Sequence, residues 1–129
     1  SLPEVITAAA VAALSGPQDI PKAKCAEFAG KRDTVFAALS AIPGVVCPRP
    51  QGAFYAFPDI SVAFGKSHNG VRIGSDIEFC AALLEAKGVA CVPGSAFGEP
   101  LAMRISYTCP TAQLQPGLQR IVEFFTELL

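Results

Sequence analysis

The chain has 129 residues, of which 51% are hydrophobic and 16% charged, and its net charge is −1. This is the length of one ordinary domain, short for an enzyme with a large cofactor, and the weak charge argues against binding nucleic acid or an anionic membrane. No apolar run approaches the roughly 18 residues that a membrane span needs, so the high apolar share instead predicts a surface covered by another domain or subunit.

Two helices are expected in the first third of the chain. Residues 2–14 are helix-prone, and Gly16-Pro17 ends that stretch. A second helix is predicted from about Asp19 to about Ala41, where Pro43-Gly44 follows. A spacing close to 3.6 residues gives its expected inward stripe, which is Cys25, Phe28, Val35, Phe36 and Leu39.

The middle of the chain predicts short strands and a capped helix. Residues 45–47 form a short apolar run and residues 52–57 a strand, whereas residues 59–74 form a polar excursion. Ser75-Asp-Ile-Glu78 is a capping box, which opens a helix that ends at Gly88. The inward residues expected on this helix are Ile77, Cys80, Leu83 and Leu84.

The last third predicts two strands, residues 89–92 and 102–107, followed by a helix that begins near Thr111 or at Pro116. The expected inward face of that helix is Leu114, Leu118, Ile121, Val122, Phe125 and Leu129. Together the elements predict an α/β protein in an α+β arrangement, with a small mixed or antiparallel sheet flanked by helices, as one domain over residues 1–129.

The cysteines and the single histidine give little chemistry. Five scattered cysteines fit neither a complete disulfide framework nor a zinc site, so buried, reduced thiols in a cytosolic protein are expected. His68 lies in a polar stretch and is interpreted as a solvated loop residue. Cys109 precedes Pro110 near a helix start, which leaves a thiol enzyme as a weak alternative, although no base is placed to activate the thiol.

Arg104 is the candidate binding residue. Strand alternation places Met103, Ile105 and Tyr107 on one face of residues 102–107, and Arg104 and Ser106 on the other. An arginine on such a face is most often solvated or ion-paired. The preceding loop contains Gly94, Ser95 and Gly98, which let backbone pass close to a ligand, and a guanidinium matches a carboxylate two hydrogen bonds at a time.

Three separated segments resemble one enzyme family. They are Ala-Ala-Leu-Ser-Gly-Pro-Gln-Asp ending at Asp19, Gly-Ala-Phe-Tyr-Ala-Phe-Pro over 52–58, and Val-Pro-Gly-Ser-Ala-Phe-Gly over 92–98 followed by Arg-Ile-Ser-Tyr over 104–107. In this order they resemble the C-terminal, small domain of class I, aspartate aminotransferase-like aminotransferases, which depend on pyridoxal phosphate. The resemblance implies that Arg104 binds the α-carboxylate of an amino-acid or 2-oxo-acid substrate, with Phe54 and Tyr55 lining the substrate site.

The same resemblance shows what this chain does not contain. The family's cofactor lysine has Ser or Gly three positions before it, and none of Lys22, Lys24, Lys31, Lys66 and Lys87 does. The residues that hold the pyridine nitrogen and the phosphate also have no counterpart, so no catalytic, cofactor-binding or metal residue is assigned. The resemblance implies a separate large cofactor-binding domain, a cytoplasmic homodimer in full-length form, and no activity for the isolated chain.

A second hypothesis comes from a different class of protein. The chain would be a stand-alone α/β module that uses Arg104 to capture an amino acid or another carboxylate, since Gly-rich turns before a strand suit a small-ligand pocket. This hypothesis, unlike the first, expects measurable carboxylate binding by the isolated chain. Neither identifies the amino donor.

Overall fold

The structure is a computed structural model that describes residues 2–129. Four helices are present in it: α1 (Glu4–Ser15), α2 (Asp19–Ser40), α3 (Asp76–Lys87) and α4 (Thr111–Thr126). Five short strands accompany them: β1 (Tyr55–Ala56), β2 (Ser67–His68), β3 (Val71–Arg72), β4 (Val92–Pro93) and β5 (Met103–Ser106). The α/β fold class is confirmed, and the strands are shorter than the sequence predicts.

The main sheet is antiparallel, with the order β1-β5-β4. Tyr55 lies opposite Ser106, and Val92 lies opposite Arg104. α2 packs against β1 and α3 against β4, while α4 packs against both of these helices. The helices therefore cover one face of the sheet, where Ala56, Met103, Ile105 and Tyr107 join the hydrophobic core.

α4 supplies much of that core, but its inward face differs from the prediction. The helix begins at Thr111 with Pro116 inside it, and it buries Leu114, Leu118, Ile121 and Phe124. The prediction of Leu129 as a core residue is wrong, because its side chain is 94% exposed. Phe124 takes that place, with its ring against Phe79 at 5.3 Å in an edge-to-face arrangement.

Residues 59–74 are more structured than a polar excursion. They contain a 3₁₀ turn, Ser61–Ala63, and the β2–β3 hairpin, and they bury Ile60, Ala63 and Ile73. The hairpin also binds the end of the chain, since Ser67 and Leu129 exchange backbone hydrogen bonds of 2.8 and 3.0 Å. A local reading of polarity misses such a segment because its partners are far away in sequence.

His68 is a buried residue of this hairpin, not a solvated loop residue. Its side chain stacks on Phe124 at 4.7 Å, and its Nε2 atom lies 3.0 Å from Glu127 Oε2. Lys87 also contacts Glu127, and the hydrogen bonds from Lys87 and His68 lower the pKa of the Glu127 carboxyl. The histidine therefore helps to join the hairpin to the end of α4.

α3 begins and ends as predicted, but the hydrogen bonds of its capping box and its set of inward residues differ from the prediction. The Ser75 hydroxyl accepts the Glu78 amide at 3.2 Å, but the Glu78 carboxylate accepts the amide of Gly74 and not that of Ser75. Gly88 ends the helix with a left-handed φ of 65°. Cys80 and Leu83 are buried as expected, whereas Ile77 and Leu84 are exposed and Phe79 is the additional core residue.

α2 follows its predicted bounds closely, but its stripe begins later than expected. Val35 and Leu39 are buried and Phe28 is half-buried, whereas Cys25 is exposed. The expectation of buried thiols holds fully only for Cys80, since Cys47, Cys91 and Cys109 are half-buried and Cys25 is exposed. Burial raises the pKa of Cys80 to about 11 and that of Cys91 to about 12. All five cysteines are free thiols.

α1 forms as expected but stands apart from the core. None of its residues is buried, although it is rich in alanine, valine and leucine. Val5, Ile6, Val11 and Leu14 all expose more than half of their surface. Among the helices of residues 2–129, none is long and apolar enough to cross a membrane.

Replacing Phe124 tests the core directly. We expect Phe124→Ala to lower the free energy of unfolding by about 3–5 kcal/mol, because it removes a fully buried ring and leaves a cavity beside Phe79 and His68. Urea unfolding of the chain measures the change. Leu129→Ala is the matched control at the exposed end of the chain, and an equal loss in both variants would contradict the assigned core.

Candidate functional site

β5 turns Arg104 away from the core. Met103 and Ile105 on either side of it are buried, whereas Arg104 is half-buried and Ser106 is exposed. The predicted alternation is therefore confirmed. The cross-strand register places Tyr55 and Val92 on the same face as Arg104, and no helix of the described chain covers that face.

Two aromatic rings hold the Arg104 guanidinium. Its Cζ atom lies 4.4 Å from the centre of the Tyr55 ring and 4.1 Å from the centre of the Phe97 ring. Cation–π attraction favours this arrangement by about 0.5–2 kcal/mol per ring, more where water is excluded. These two contacts restrict the position of the guanidinium, and its N–H groups remain available for hydrogen bonds.

Within residues 2–129, Arg104 makes no ion pair with a carboxylate. The same part of the chain shows no side-chain hydrogen bond from it. Arg104 is thus not part of a structural ion pair within these residues, which was one of the two ordinary expectations for it. A planar cation, oriented and without an anion, is a suitable partner for a carboxylate ligand.

The two other predicted site residues, Phe54 and Tyr55, have different positions relative to Arg104, and of the two only Tyr55 contacts its guanidinium. Tyr55 is a wall of the Arg104 clamp, which we define as the rings of Tyr55 and Phe97. Phe54 stacks on Tyr55 with ring centroids 4.6 Å apart, and its second aromatic neighbour is Phe28 at 6.1 Å. Phe54 lines a cavity of about 350 Å³ between α2 and residues 51–54.

The Gly-rich segment before β5 forms a 3₁₀ turn, Gly94–Phe97. A Cβ on Gly94 would lie 2.5 Å from the Ala102 carbonyl oxygen, so only glycine fits where these backbones meet. The Gly94 amide donates to Ala102, and Glu99 donates to the Gly94 carbonyl. The turn is therefore bound to its own loop, and it places Phe97 against Arg104.

Asp76 links this turn to α3. Its carboxylate is 3% exposed, and Oδ2 accepts the Ser95 amide at 2.7 Å. Burial raises the pKa of the Asp76 carboxyl, but hydrogen bonds from Ser95 and from the amides at the start of α3 outweigh burial, so the pKa lies below its ordinary value. Asp76 is thus an ionised, buried acceptor.

Sequence reasoning missed Phe97 and Asp76 as site residues. Phe97 lies inside the Val-Pro-Gly-Ser-Ala-Phe-Gly segment, so its motif pointed near it, but an irregular turn gives no periodicity from which to orient a ring. Asp76 lies inside the capping box, where an acidic residue is expected for the helix dipole alone. Nothing local indicates that its side chain reaches a turn 19 residues later.

The described residues do not fit pyridoxal phosphate on their own. Lys31, the buried lysine, donates to the Cys109 carbonyl at 2.9 Å and pairs with Glu27 at 3.0 Å. Lys24 and Lys87 are in ion pairs, and Lys22 and Lys66 are exposed. The amides of Gly94 and Ser95 already donate within the protein, so these two are not available to a phosphate.

Two other kinds of site find no support in the described part of the chain. No group of three or more histidine, cysteine, aspartate or glutamate side chains is placed to bind a metal ion. Cys109 is half-buried beside Lys31, and His68 is bonded to Glu127, so the histidine is not available as a base for the thiol.

Comparison with known proteins decides the family. A family model described as "Aminotransferase class I and II" matches residues 1–121. The chain belongs to this family. The match extends from α1 into α4 and so includes every segment on which the sequence resemblance rests.

The relatives of this chain include several aminotransferases. An aspartate aminotransferase of Rhizobium meliloti is 49% identical over 115 residues, which are 88% of this chain and 28% of the relative. An aspartate/prephenate aminotransferase of Cereibacter sphaeroides is 45% identical over 117 residues, or 90% of this chain and 29% of the relative. This chain therefore spans less than a third of these relatives.

Solved structures agree with the fold described above. The crystal structure of the Rhizobium meliloti aspartate aminotransferase superposes with a TM-score of 0.89 at 46% identity, covering 95% of this chain and 31% of that one. An alanine aminotransferase from Pyrococcus furiosus gives a TM-score of 0.78 at 32% identity, covering 92% of this chain and 29% of that one. The predicted resemblance to the aminotransferase family is confirmed.

The lowered pKa of Asp76 predicts a pH-dependent contribution to stability. A carboxyl with a lowered folded-state pKa stabilises the fold above its unfolded pKa of about 3.9, and this contribution is lost as the pH falls through the folded value. We expect Asp76→Asn to be less stable than the unsubstituted chain near pH 7, with the gap closing below about pH 4.

Urea unfolding of both chains between neutral and acidic pH measures that gap. The other carboxyls with lowered pKa, Glu27, Asp33 and Glu127, titrate in both chains and cancel in the difference. A gap that persists unchanged at the most acidic pH would show that ionised Asp76 does not stabilise the fold.

Proposed function

We propose that this chain is the substrate-binding, C-terminal domain of a pyridoxal-phosphate-dependent aminotransferase, which moves an amino group between an amino acid and a 2-oxo acid. The observation that carries the proposal is Arg104, held between Tyr55 and Phe97 without a carboxylate partner among residues 2–129. Both substrates of such a reaction carry an α-carboxylate, which two parallel N–H donors of a guanidinium can bind.

Positioning is the proposed contribution of Arg104 to the reaction. The Tyr55 and Phe97 rings restrict rotation of the guanidinium, so a bound carboxylate adopts a restricted set of orientations. A substrate held in the reactive geometry gains a large rate advantage, and misplacement of about 1 Å costs on the order of 10²-fold. This role needs no proton transfer by Arg104.

The cofactor and the lysine that holds it belong, in this proposal, to a polypeptide region outside this chain. The cofactor supplies the electron sink of transamination when it is bound. Residues 2–129 contribute no lysine placed for it, so the isolated chain is expected to be inactive. The segment matched in the relatives, less than a third of their length, is consistent with this division.

The exposed surface of α1 supports the same proposal. Monomeric proteins seldom leave a continuous apolar patch open, and α1 presents Val5, Ile6, Val11 and Leu14 without any buried residue. A helix that packs on nothing has little reason to be apolar. We infer that the rest of the enzyme covers α1, and that the uncovered face of the sheet contributes one wall of the substrate site.

The function is tested with a hybrid enzyme, in which this chain replaces the matching segment of the Rhizobium meliloti aspartate aminotransferase. We expect transamination of aspartate, and a loss of about 10²- to 10⁴-fold in kcat/KM for Arg104→Ala. Removing one partner of a buried, hydrogen-bonded charge pair costs about 3–5 kcal/mol, and each 1.4 kcal/mol or so is a factor of ten. The kcat/KM of Arg104→Lys should fall between those of the unsubstituted hybrid and Arg104→Ala, because lysine keeps the charge but lacks the two parallel N–H donors of a guanidinium.

Arg72→Ala is the matched control, since Arg72 is exposed on β3 and lies outside the Arg104 clamp. An active hybrid in which Arg104→Ala and Arg72→Ala behave alike would refute the proposed role of Arg104. The isolated chain separates the alternative class: saturable binding of an amino acid without cofactor, abolished by Arg104→Ala, would instead favour a stand-alone carboxylate-binding module.

Val11→Asp on α1 tests whether this helix is covered in the enzyme. In the isolated chain we expect a change of less than about 0.5 kcal/mol in the free energy of unfolding, because Val11 is exposed there. In the hybrid we expect a clearly lower thermal midpoint, because the charge would be buried against the larger part. Equal behaviour in both contexts would show that α1 remains exposed.

A further inference from the structure

Asp76 is a buried, charged residue, and carboxylate binding by Arg104 does not by itself explain why a charge is buried at this position. Within residues 2–129, no lysine, arginine or histidine forms an ion pair with it. A buried carboxylate is costly unless hydrogen bonds satisfy it. Among residues 2–129, its partner outside α3 is Ser95, whose amide donates at 2.7 Å, so Asp76 serves to connect α3 with the 3₁₀ turn Gly94–Phe97.

That turn supplies one ring of the Arg104 clamp. Phe97 follows Ser95 by two residues, and its ring centre lies 4.1 Å from Arg104 Cζ. The ring is 48% exposed, and its other aromatic neighbour is Phe57, in an edge contact at 6.1 Å. Because little packing surrounds the ring, its position depends on where the turn is held.

Two anchors hold the turn. The first is made of backbone: the Gly94 amide donates to Ala102 at 2.9 Å, and the Glu99 amide donates to Gly94 at 3.0 Å. The second is the 2.7 Å bond from the Ser95 amide to Asp76, which ties the turn to a helix instead of to its own loop. The Gly98 amide also donates to the Ser95 carbonyl at 3.1 Å, but this bond, like the first anchor, lies within the loop. Loss of the second anchor therefore removes the hydrogen bond that joins the turn to α3 and leaves Phe97 held by its own loop alone.

We propose that Asp76 is a positioning residue for Arg104, acting through the Ser95 amide and the ring of Phe97. The inference rests on the proposed function, because it concerns how the same arginine is aimed at the substrate carboxylate. Arg104 has a ring on each side and no anion in the described chain to hold it, so displacement of Phe97 frees the guanidinium to rotate.

The test uses the hybrid enzyme with aspartate as the amino donor. We expect Asp76→Ala to lower kcat/KM by about 10- to 100-fold, with KM rising more than kcat falls, because carboxylate binding weakens already in the ground state. Asp76→Asn keeps an oxygen that can accept the Ser95 amide and should recover part of the loss. Phe97→Ala, which removes the ring itself, should resemble Asp76→Ala.

Glu78→Ala is the matched control. It also removes a carboxylate that accepts a backbone amide at the start of α3, at 2.6 Å from Gly74, but this bond does not reach the turn. Its effect on kcat/KM should stay within about twofold, the range of ordinary surface substitutions.

A double-mutant cycle with Arg104→Ala decides between positioning and a general structural role. If Asp76 acts through Arg104, Asp76→Ala in the Arg104→Ala background changes kcat/KM by less than about twofold. A loss that persists in full in that background overturns the inference while leaving the role of Arg104 intact. An unsubstituted hybrid without activity, or one indifferent to Arg104→Ala, overturns the proposed function and the inference together.

If circular dichroism shows that Asp76→Ala is unfolded, the kcat/KM of Asp76→Asn is measured instead and tests the inference. We then expect a loss of about 3- to 10-fold that disappears in the Arg104→Ala background. Either no loss or a loss that persists in that background overturns the inference.

Discussion

The antiparallel pairing of β5 with β1 and β4 determines where Arg104 and Tyr55 lie. Because side chains alternate along a strand, burial of Met103 and Ile105 on the helix side forces Arg104 to the other face, and the register with β1 brings Tyr55 beside it. A slip of one residue would place Arg104 in the core and the apolar residues in water. The same apolar burial that stabilises the fold therefore also fixes the direction of Arg104, which has no carboxylate partner among residues 2–129.

The features of the fold that could be predicted from the sequence are those set by interactions between residues close together in the chain. Helices α1, α2 and α3 were predictable within a few residues, because caps, prolines and glycines act locally, as Ser75 and Gly88 do at the two ends of α3. The inward face of α4 was predicted in part, because Phe124 and Phe125 are adjacent and both contact Phe79, yet Phe124 is fully buried and Phe125 only half-buried. His68 was misread because its neighbours, Phe124 and Glu127, are more than fifty residues away.

The residues of the candidate site also differ in whether local sequence or long-range contacts determine their positions. Alternation alone gave the direction of Arg104, and the motif around residues 52–58 pointed to Tyr55. The second ring, Phe97, belongs to a turn whose shape comes from the close contact of Gly94 with Ala102, and no repeat in the sequence encodes that contact. Asp76 is a helix-start residue by its local pattern and a tertiary anchor by its contact, so the sequence suggested the lesser of its two roles.

Solvent exposure separates what this chain can do by itself from what it does in the proposed enzyme. An ion pair between a carboxylate and an exposed cation is worth about 0–1 kcal/mol, because water and salt screen both charges. The same pair, once enclosed and hydrogen-bonded, costs about 3–5 kcal/mol to break. Arg104 is half-buried between the Tyr55 and Phe97 rings, with no carboxylate partner among residues 2–129. Its orientation is therefore set within this domain, whereas under the proposed function its affinity for a carboxylate is not. Under the proposed function, strong carboxylate binding begins when the remainder of the enzyme closes over the Arg104 clamp and excludes water.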